Sequence, residues 1–227
     1  MPDARHANLL EPEALVELFL RHPPQGFAAA SEADLPVFGT DFDLLTTLEP
    51  AILVKIRRLP LFGLWSRLLR FPARFAGTTA TEYAPLPKGL EPGALLDGFR
   101  ERCAAGQSLL IVKDVPEVSP LLGAGDNEAA MRLARIAPDK GFIVVEGQAL
   151  AYVPIDFSST DEYLSRLSKS RRKNLRRKLK SRERLDIEAV PLGDARFGSL
   201  DVLEELYGLY LGVYAQSEIH FDLLTRD

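Results

Sequence analysis

A short segment near residue 170 concentrates side chains that could bind an anion. The window from Ser165 to Arg184 holds eleven lysines and arginines and one acid, Glu183. The whole chain carries a net charge of −4, and the part outside this window carries −14, from 17 basic and 31 acidic residues. Like charges four positions apart on a helix repel each other, so this density indicates an anionic partner. Because arginine forks bind phosphate in a bidentate manner, the predicted phosphate ligands are Arg171, Arg172, Lys173, Arg176, Arg177 and Lys178.

A solvated basic face is the alternative, and it is the usual meaning of a charge run on a protein surface. The spacing predicts one helix from about Thr160 to Arg184. At roughly 100° per residue, Arg171 falls in the middle of the apolar stripe of this helix, which is expected to dock on a sheet. We therefore expect Arg171 to be the most important phosphate ligand. The stripe consists of Leu164, Leu167, Leu175 and Leu179.

Three side chains are candidates for acid–base chemistry. Glu82 lies beside Tyr83 in "TATEYAPLP", where its carboxylate could act as a general base. Tyr214 and His220 lie within two turns of the predicted last helix, and His220 could also act as a base. Each has a simpler alternative: a solvated loop acid, a packed ring and a polar residue at a helix end. The nearby Ser217 lacks an assigned acid to orient the histidine, so a nucleophilic serine is not predicted.

A second region is basic and aromatic and contains no acid. Six basic residues and no acidic residue lie between Glu49 and Glu82. Such a stretch can lie on an anionic membrane surface, so peripheral membrane contact through residues 57–75 is one possibility. The other is a helix that packs its leucines and Trp65 inward while its arginines extend to solvent. Because Pro60 and Pro72 leave only about three helical turns, the packed helix is favoured.

The composition is that of an ordinary globular protein. The chain has 227 residues, of which 46% are hydrophobic and 26% charged. One cysteine, Cys103, excludes an internal disulfide and is expected to be inert, and three scattered histidines do not suggest a metal site. The acidic N-terminus does not resemble a secretory signal, and no run is long enough to span a membrane. We therefore expect a cytoplasmic protein without a metal.

Helices and strands are predicted to alternate along the chain. This alternation indicates an α/β or α+β fold with a mixed sheet flanked by helices. Periodicity and turn residues predict helices over 11–21, 93–106, 127–137, 160–184 and 199–224, strands over 108–115 and 185–193, and a hairpin over 141–157 with Gly147 in its turn.

The order of these segments resembles a known family. The run "FSSTDEYLSRLSKSRRKNLRRKLK" (157–180), followed by "LEELYGLYLGVYAQSEIHFDLLTRD" (203–227), is similar to the FemAB-like branch of the GNAT acyltransferase superfamily. The upstream segments "FAGTTATEYAPLP" (75–87) and "SLLIVKDVP" (108–116) fit the same layout. The resemblance implies a GNAT-like half over residues 1–156, and a segment over 157–227 that leads into a second, missing half of a tandem arrangement.

The resemblance also implies a reaction and its substrates. Members transfer an acyl or aminoacyl group to an amine, in some cases in peptidoglycan biosynthesis, from acyl-CoA or an aminoacyl-tRNA. The chain departs from ordinary acetyltransferases because it lacks their Gln/Arg-x-x-Gly-x-Gly/Ala pyrophosphate loop. The competing hypothesis is a non-enzymatic module that binds RNA or an anionic membrane through residues 165–184. The sequence leaves the oligomeric state open.

Overall fold

A four-stranded mixed sheet lies at the centre of the first of two units. The computed structural model describes residues 5–47, 50–89, 91–147, 149–191, 193–217 and 220–226. The chain divides into a first unit, Met1–Gln148 with Gly212–Asp227, and a second unit, Ala149–Leu211. The expected α+β class with a mixed sheet is confirmed. The strands, in sheet order, are β1 (Ala28–Glu32), β2 (Leu35–Asp43), β3 (Arg70–Ala76) and β4 (Leu109–Val112).

Helices connect and cover these strands. The pairs β1–β2 and β2–β3 are antiparallel, whereas β3–β4 is parallel and therefore requires a crossover connection, which contains a helix. The helices of the first unit are α1 (Glu13–Arg21), α2 (Pro50–Arg57), α3 (Phe62–Trp65), α4 (Pro92–Cys103) and α5 (Ala124–Ile136). The second unit contains α6 (Thr160–Arg166) and α7 (Lys169–Arg182), and α8 (Leu200–Gln216) continues from the second unit into the first.

Each face of the sheet has its own apolar cluster, because successive side chains of a strand point to opposite faces. On one face, Leu35 and Val37 of β2 pack with Leu96 and Phe99 of α4 and with Leu133 of α5. The other face is aromatic and receives α1. Its members include Phe19, Phe27, Phe38, Phe42, Phe75 and Phe221.

A stack of three rings crosses the aromatic face. Phe38 lies directly opposite Phe75 in the β2–β3 register, and the two ring centroids are 4.7 Å apart with an interplanar angle of 2°. Phe27 stacks on the other side of Phe38 at 4.9 Å. Phe221, which follows α8, meets the ring of Phe27 edge-on at 5.3 Å. Since Phe38 is fully buried, this stack joins two strands and the C-terminal segment in one core.

Two predicted β elements do not form. The hairpin expected over 141–157 is wrong, because its described residues belong to no strand, and Ile143 is 89% and Ile155 84% exposed. The strand expected over 185–193 is wrong in the same way for its described residues. A strand is stabilised by hydrogen bonds to a neighbour, so an alternating pattern without a paired neighbour remains extended chain. Among the described residues, no helix is long and apolar enough to cross a lipid bilayer.

We expect Phe38→Ala to lower the free energy of unfolding by about 3–5 kcal/mol, because it leaves a cavity between two stacked rings. Urea denaturation followed by circular dichroism measures this loss. Phe62→Ala, which truncates a half-buried ring outside the cluster, is the control and should cost no more than about 1 kcal/mol. Equal losses for the two variants would contradict a core centred on Phe38.

Candidate anion-binding site

The basic segment begins with a break between two helices. Leu167, which follows α6, has extended backbone angles (φ −84°, ψ 155°), and the Oγ of Ser168 accepts the N–H of Arg171 at 3.4 Å to cap α7. The predicted continuous helix over 160–184 is therefore wrong. Serine is a favoured N-cap residue because its oxygen satisfies a free backbone N–H, and that property of Ser168 is the signal that could have revealed the break.

The break also removes the predicted apolar stripe. Leu164 belongs to α6 and is buried, whereas Leu175 of α7 is half-buried and Leu179 is 43% exposed. The expectation that Arg171 lies in the middle of a docking stripe is wrong, because its side chain is exposed. Within α7, the partly buried side chains are those of Arg172 and Leu175.

Helix α7 is covered with positive charge. Nine of its 14 residues are lysine or arginine, and none is acidic. At about 100° per residue these bases point to every side of the helix axis, and no side chain of α7 is buried. With a rise of 1.5 Å per residue, the helix is roughly 21 Å long. All the predicted phosphate ligands, from Arg171 to Lys178, lie on α7.

The charges of α7 are not neutralised by neighbouring carboxylates. In the parts of the chain that the structure describes, no base of α7 forms an ion pair, and the hydrogen bond of Arg177 is to Asn174 Oδ1, at 3.1 Å. Arg166 of α6 differs, because its Nη1 lies 2.6 Å from Asp156 Oδ1 and its Nη2 contacts Glu162. The free positive charge of the segment is thus confined to α7 and its C-terminal end.

A cluster around Glu162 fixes the start of α6, the helix that leads into α7. The Ser159 Oγ accepts the N–H of Glu162 at 3.2 Å, while Glu162 Oε2 accepts the N–H of Ser158 at 2.8 Å and its hydroxyl at 2.7 Å. These hydrogen bonds and the one from Arg166 lower the pKa of Glu162 from 4.5 to about 2. A serine followed three residues later by glutamate is a sequence signal of such a cap and identifies Ser159, whereas the hydrogen bonds of Glu162 with Ser158 and Arg166 were not predicted from the sequence.

The three predicted catalytic residues are only partly brought together. The rings of Tyr214 and His220 meet edge-on, with centroids 4.9 Å apart and an interplanar angle of 67°. The packing of the half-buried Phe221 against the aromatic cluster positions the adjacent His220. Glu82 lies on the loop after β3 and is exposed, and its backbone N–H donates to Glu11 Oε1 at 2.9 Å. The geometry therefore gives a Tyr214–His220 pair, and neither of these residues is among the described hydrogen-bond partners of Glu82.

The first unit also contains a cysteine and a cleft. Cys103, the last residue of α4, is buried in the apolar cluster. Burial is the main cause that raises the pKa of its thiol, and the charge of Glu32 is the second. A cleft of about 210 Å³, lined by Asn8, Leu95, Asp126 and other residues, contains none of the predicted site residues. Among the described residues, no group of three or more His, Cys, Asp or Glu side chains is arranged to hold a metal ion.

Comparison of the chain with models of known protein families, with curated proteins and with solved structures gives no match.

We expect Glu162→Gln to remove a pH dependence of stability. The pKa of Glu162 is lowered by folding, so the stabilisation that its carboxylate supplies is fully present above pH 4.5 and is lost as the pH falls towards about 2. Urea denaturation across this pH range should show that the difference in the free energy of unfolding between the natural chain and Glu162→Gln disappears in acid. The control Glu146→Gln replaces another exposed carboxylate. A difference between the natural chain and Glu162→Gln that does not change with pH would contradict the assignment.

Proposed function

We propose that the protein is an acyltransferase in which α7 binds the phosphate groups of the acyl donor. The observation that supports this proposal is the set of nine bases on one helix, without ion-pair partners among the described residues. Repulsion between these bases disfavours the helix unless an anion is present, and arginine forks bind phosphate through two parallel hydrogen bonds. The proposed donors are acyl-CoA and an aminoacyl-tRNA, both of which carry phosphates and an activated carbonyl.

The resemblance of residues 157–180 and 203–227 to the FemAB-like branch of the GNAT superfamily supplies the proposed reaction. An amine attacks the thioester or ester carbonyl of the donor, the C–N bond forms, and the thiol or hydroxyl group leaves. This reaction requires a base for the amine proton and a donor to the developing oxyanion. We assign the pair of Tyr214 and His220 to these roles, with Glu82 as the alternative base. Both donors are cytoplasmic molecules, which agrees with the expected cytoplasmic location of the protein.

A non-enzymatic RNA-binding module is the second candidate. Bases point to all sides of α7 and none of its side chains is buried, an arrangement that suits an extended polyanion as well as a small ligand. Binding of this kind depends on the number of phosphates neutralised and weakens steeply with salt. The net charge of −14 outside residues 165–184 opposes it, because acidic surfaces repel a long polyanion.

We expect coenzyme A to bind saturably and Arg171→Gln to weaken binding by about tenfold, the effect of losing one charge-assisted hydrogen bond. Isothermal titration calorimetry with coenzyme A, and separately with an unacylated transfer RNA, measures both affinities. The matched control is Arg196→Gln, since Arg196 lies in the same unit but is already paired with Glu188 at 2.7 Å. Arg196→Gln should leave the affinity for coenzyme A unchanged.

The outcomes separate the two candidates. Saturable binding of coenzyme A that depends on Arg171, with turnover of acetyl-CoA and an amine, supports the acyltransferase. Salt-sensitive binding of the transfer RNA alone, without turnover of an acylated form, supports the RNA-binding module. Absence of binding to both ligands would contradict the assignment of α7 as a phosphate-binding surface.

A further inference from the structure

A helical segment separates two strands that pair directly with each other. β2 ends at Asp43 and β3 begins at Arg70, and these two residues are partners in the β2–β3 register. Two residues suffice to connect antiparallel strands. Here residues 44–69 lie between them and contain α2, α3 and two 3₁₀ turns. We refer to residues 50–69 as the helical excursion.

The apolar side chains of the helical excursion are not packed into a core. Leu61 is 72% exposed and Leu68 is 75% exposed. No described side chain between residues 51 and 69 is buried. The expectation of a helix that packs its leucines inward is therefore wrong for Leu59, Leu61 and Leu68, whereas Trp65 is half-buried. The exposed apolar positions are Ile52, Val54, Leu59, Leu61 and Leu68.

The helical excursion is also uniformly basic. It contains four basic residues, Lys55, Arg57, Arg58 and Arg67, and no acidic residue. None of these four forms an ion pair within the described residues, whereas Arg70, the next base along the chain, pairs with Asp43 at 3.4 Å. Exposed leucines and unpaired cations therefore share one short segment. α7 has the cations without a comparable set of apolar side chains.

We propose that the helical excursion binds the surface of an anionic lipid bilayer. Segments that lie in the membrane interface combine apolar side chains, which enter the acyl boundary, with lysines and arginines, which contact lipid phosphates. The helical excursion has both and lacks the acids that anionic headgroups would repel. Its helices lie on the bilayer rather than cross it, because no described helix is long enough to span.

Trp65 supplies a local reporter for this surface. It is the one tryptophan of the chain, its Nε1 donates to the Pro60 carbonyl at 3.1 Å, and its ring lies 5.2 Å from that of Phe62. Tryptophan emission therefore reports on the helical excursion. We expect a blue shift with vesicles of equal parts phosphatidylcholine and phosphatidylglycerol, and quenching when their acyl chains are brominated. Vesicles of phosphatidylcholine alone should produce neither change.

Variants identify the binding surface. Leu61→Ser combined with Leu68→Ser should lower the partition coefficient by at least about tenfold, because two apolar side chains no longer enter the bilayer. Arg57→Gln should lower it by about fivefold. Val118→Ser, which changes an apolar side chain 68% exposed elsewhere in the first unit, should have no effect. Circular dichroism verifies that each variant is folded.

The role of α7 is tested separately, because a basic helix also attracts anionic vesicles. Arg176→Gln combined with Arg177→Gln should retain the Trp65 blue shift and the quenching. Loss of both signals in this α7 variant, or unchanged partitioning of the Leu61/Leu68 variant, would overturn the proposal. Vesicle binding without a change in Trp65 emission would overturn it too. No vesicle binding at all would also overturn it and would leave a protein partner as the ligand of this surface.

Discussion

The stacking of Phe38 on Phe75 is the interaction on which the first unit depends. It fixes β2 against β3, and Phe27 extends the stack on the other side of Phe38. The same rings receive Phe221 from the C-terminal segment, which positions His220 against the ring of Tyr214. One aromatic cluster thus serves both as a core and as the support of the proposed acid–base pair. The β2–β3 pairing that it stabilises also anchors both ends of the connection 44–69, which contains the helical excursion.

The second unit is organised by a different constraint, the cost of placing many like charges on one helix. Local carboxylates neutralise Arg166, while the bases of α7 have no such partners among the described residues. Caps compensate in part, because Ser168 begins α7 and the cluster around Glu162 fixes α6 before it. Local backbone hydrogen bonds therefore stabilise the helix, while the positive charges of its side chains are not neutralised among the described residues. An anionic ligand would neutralise them, which is the reason for the proposed role of α7.

Local signals in the sequence were sufficient for some elements and not for others. The helical spacing of Leu15, Leu18 and Phe19 predicted α1, and the helix predicted over 160–184 covers α7, because these patterns depend on neighbours within a few residues. β3 was missed because Pro72 and Arg74 interrupt its apolar character, and its identity depends on pairing with β2. The failed hairpin over 141–157 has the same cause with the opposite outcome, since its strand pattern is present but its described residues pair with no neighbouring strand. The contact of Tyr214 with His220 did not follow from their spacing, because the helix predicted over 199–224 ends at Gln216 and His220 lies beyond it.

The central claim is that the uncompensated charge of α7 binds phosphate. The most direct test is a titration of the isotopically labelled chain with inorganic pyrophosphate, followed by backbone amide chemical shifts in two-dimensional NMR. The account predicts saturable shifts concentrated in residues 169–182, with small changes at the paired Arg166 and Arg196. Shifts spread evenly over all basic residues, or saturable shifts confined to the first unit, would contradict it.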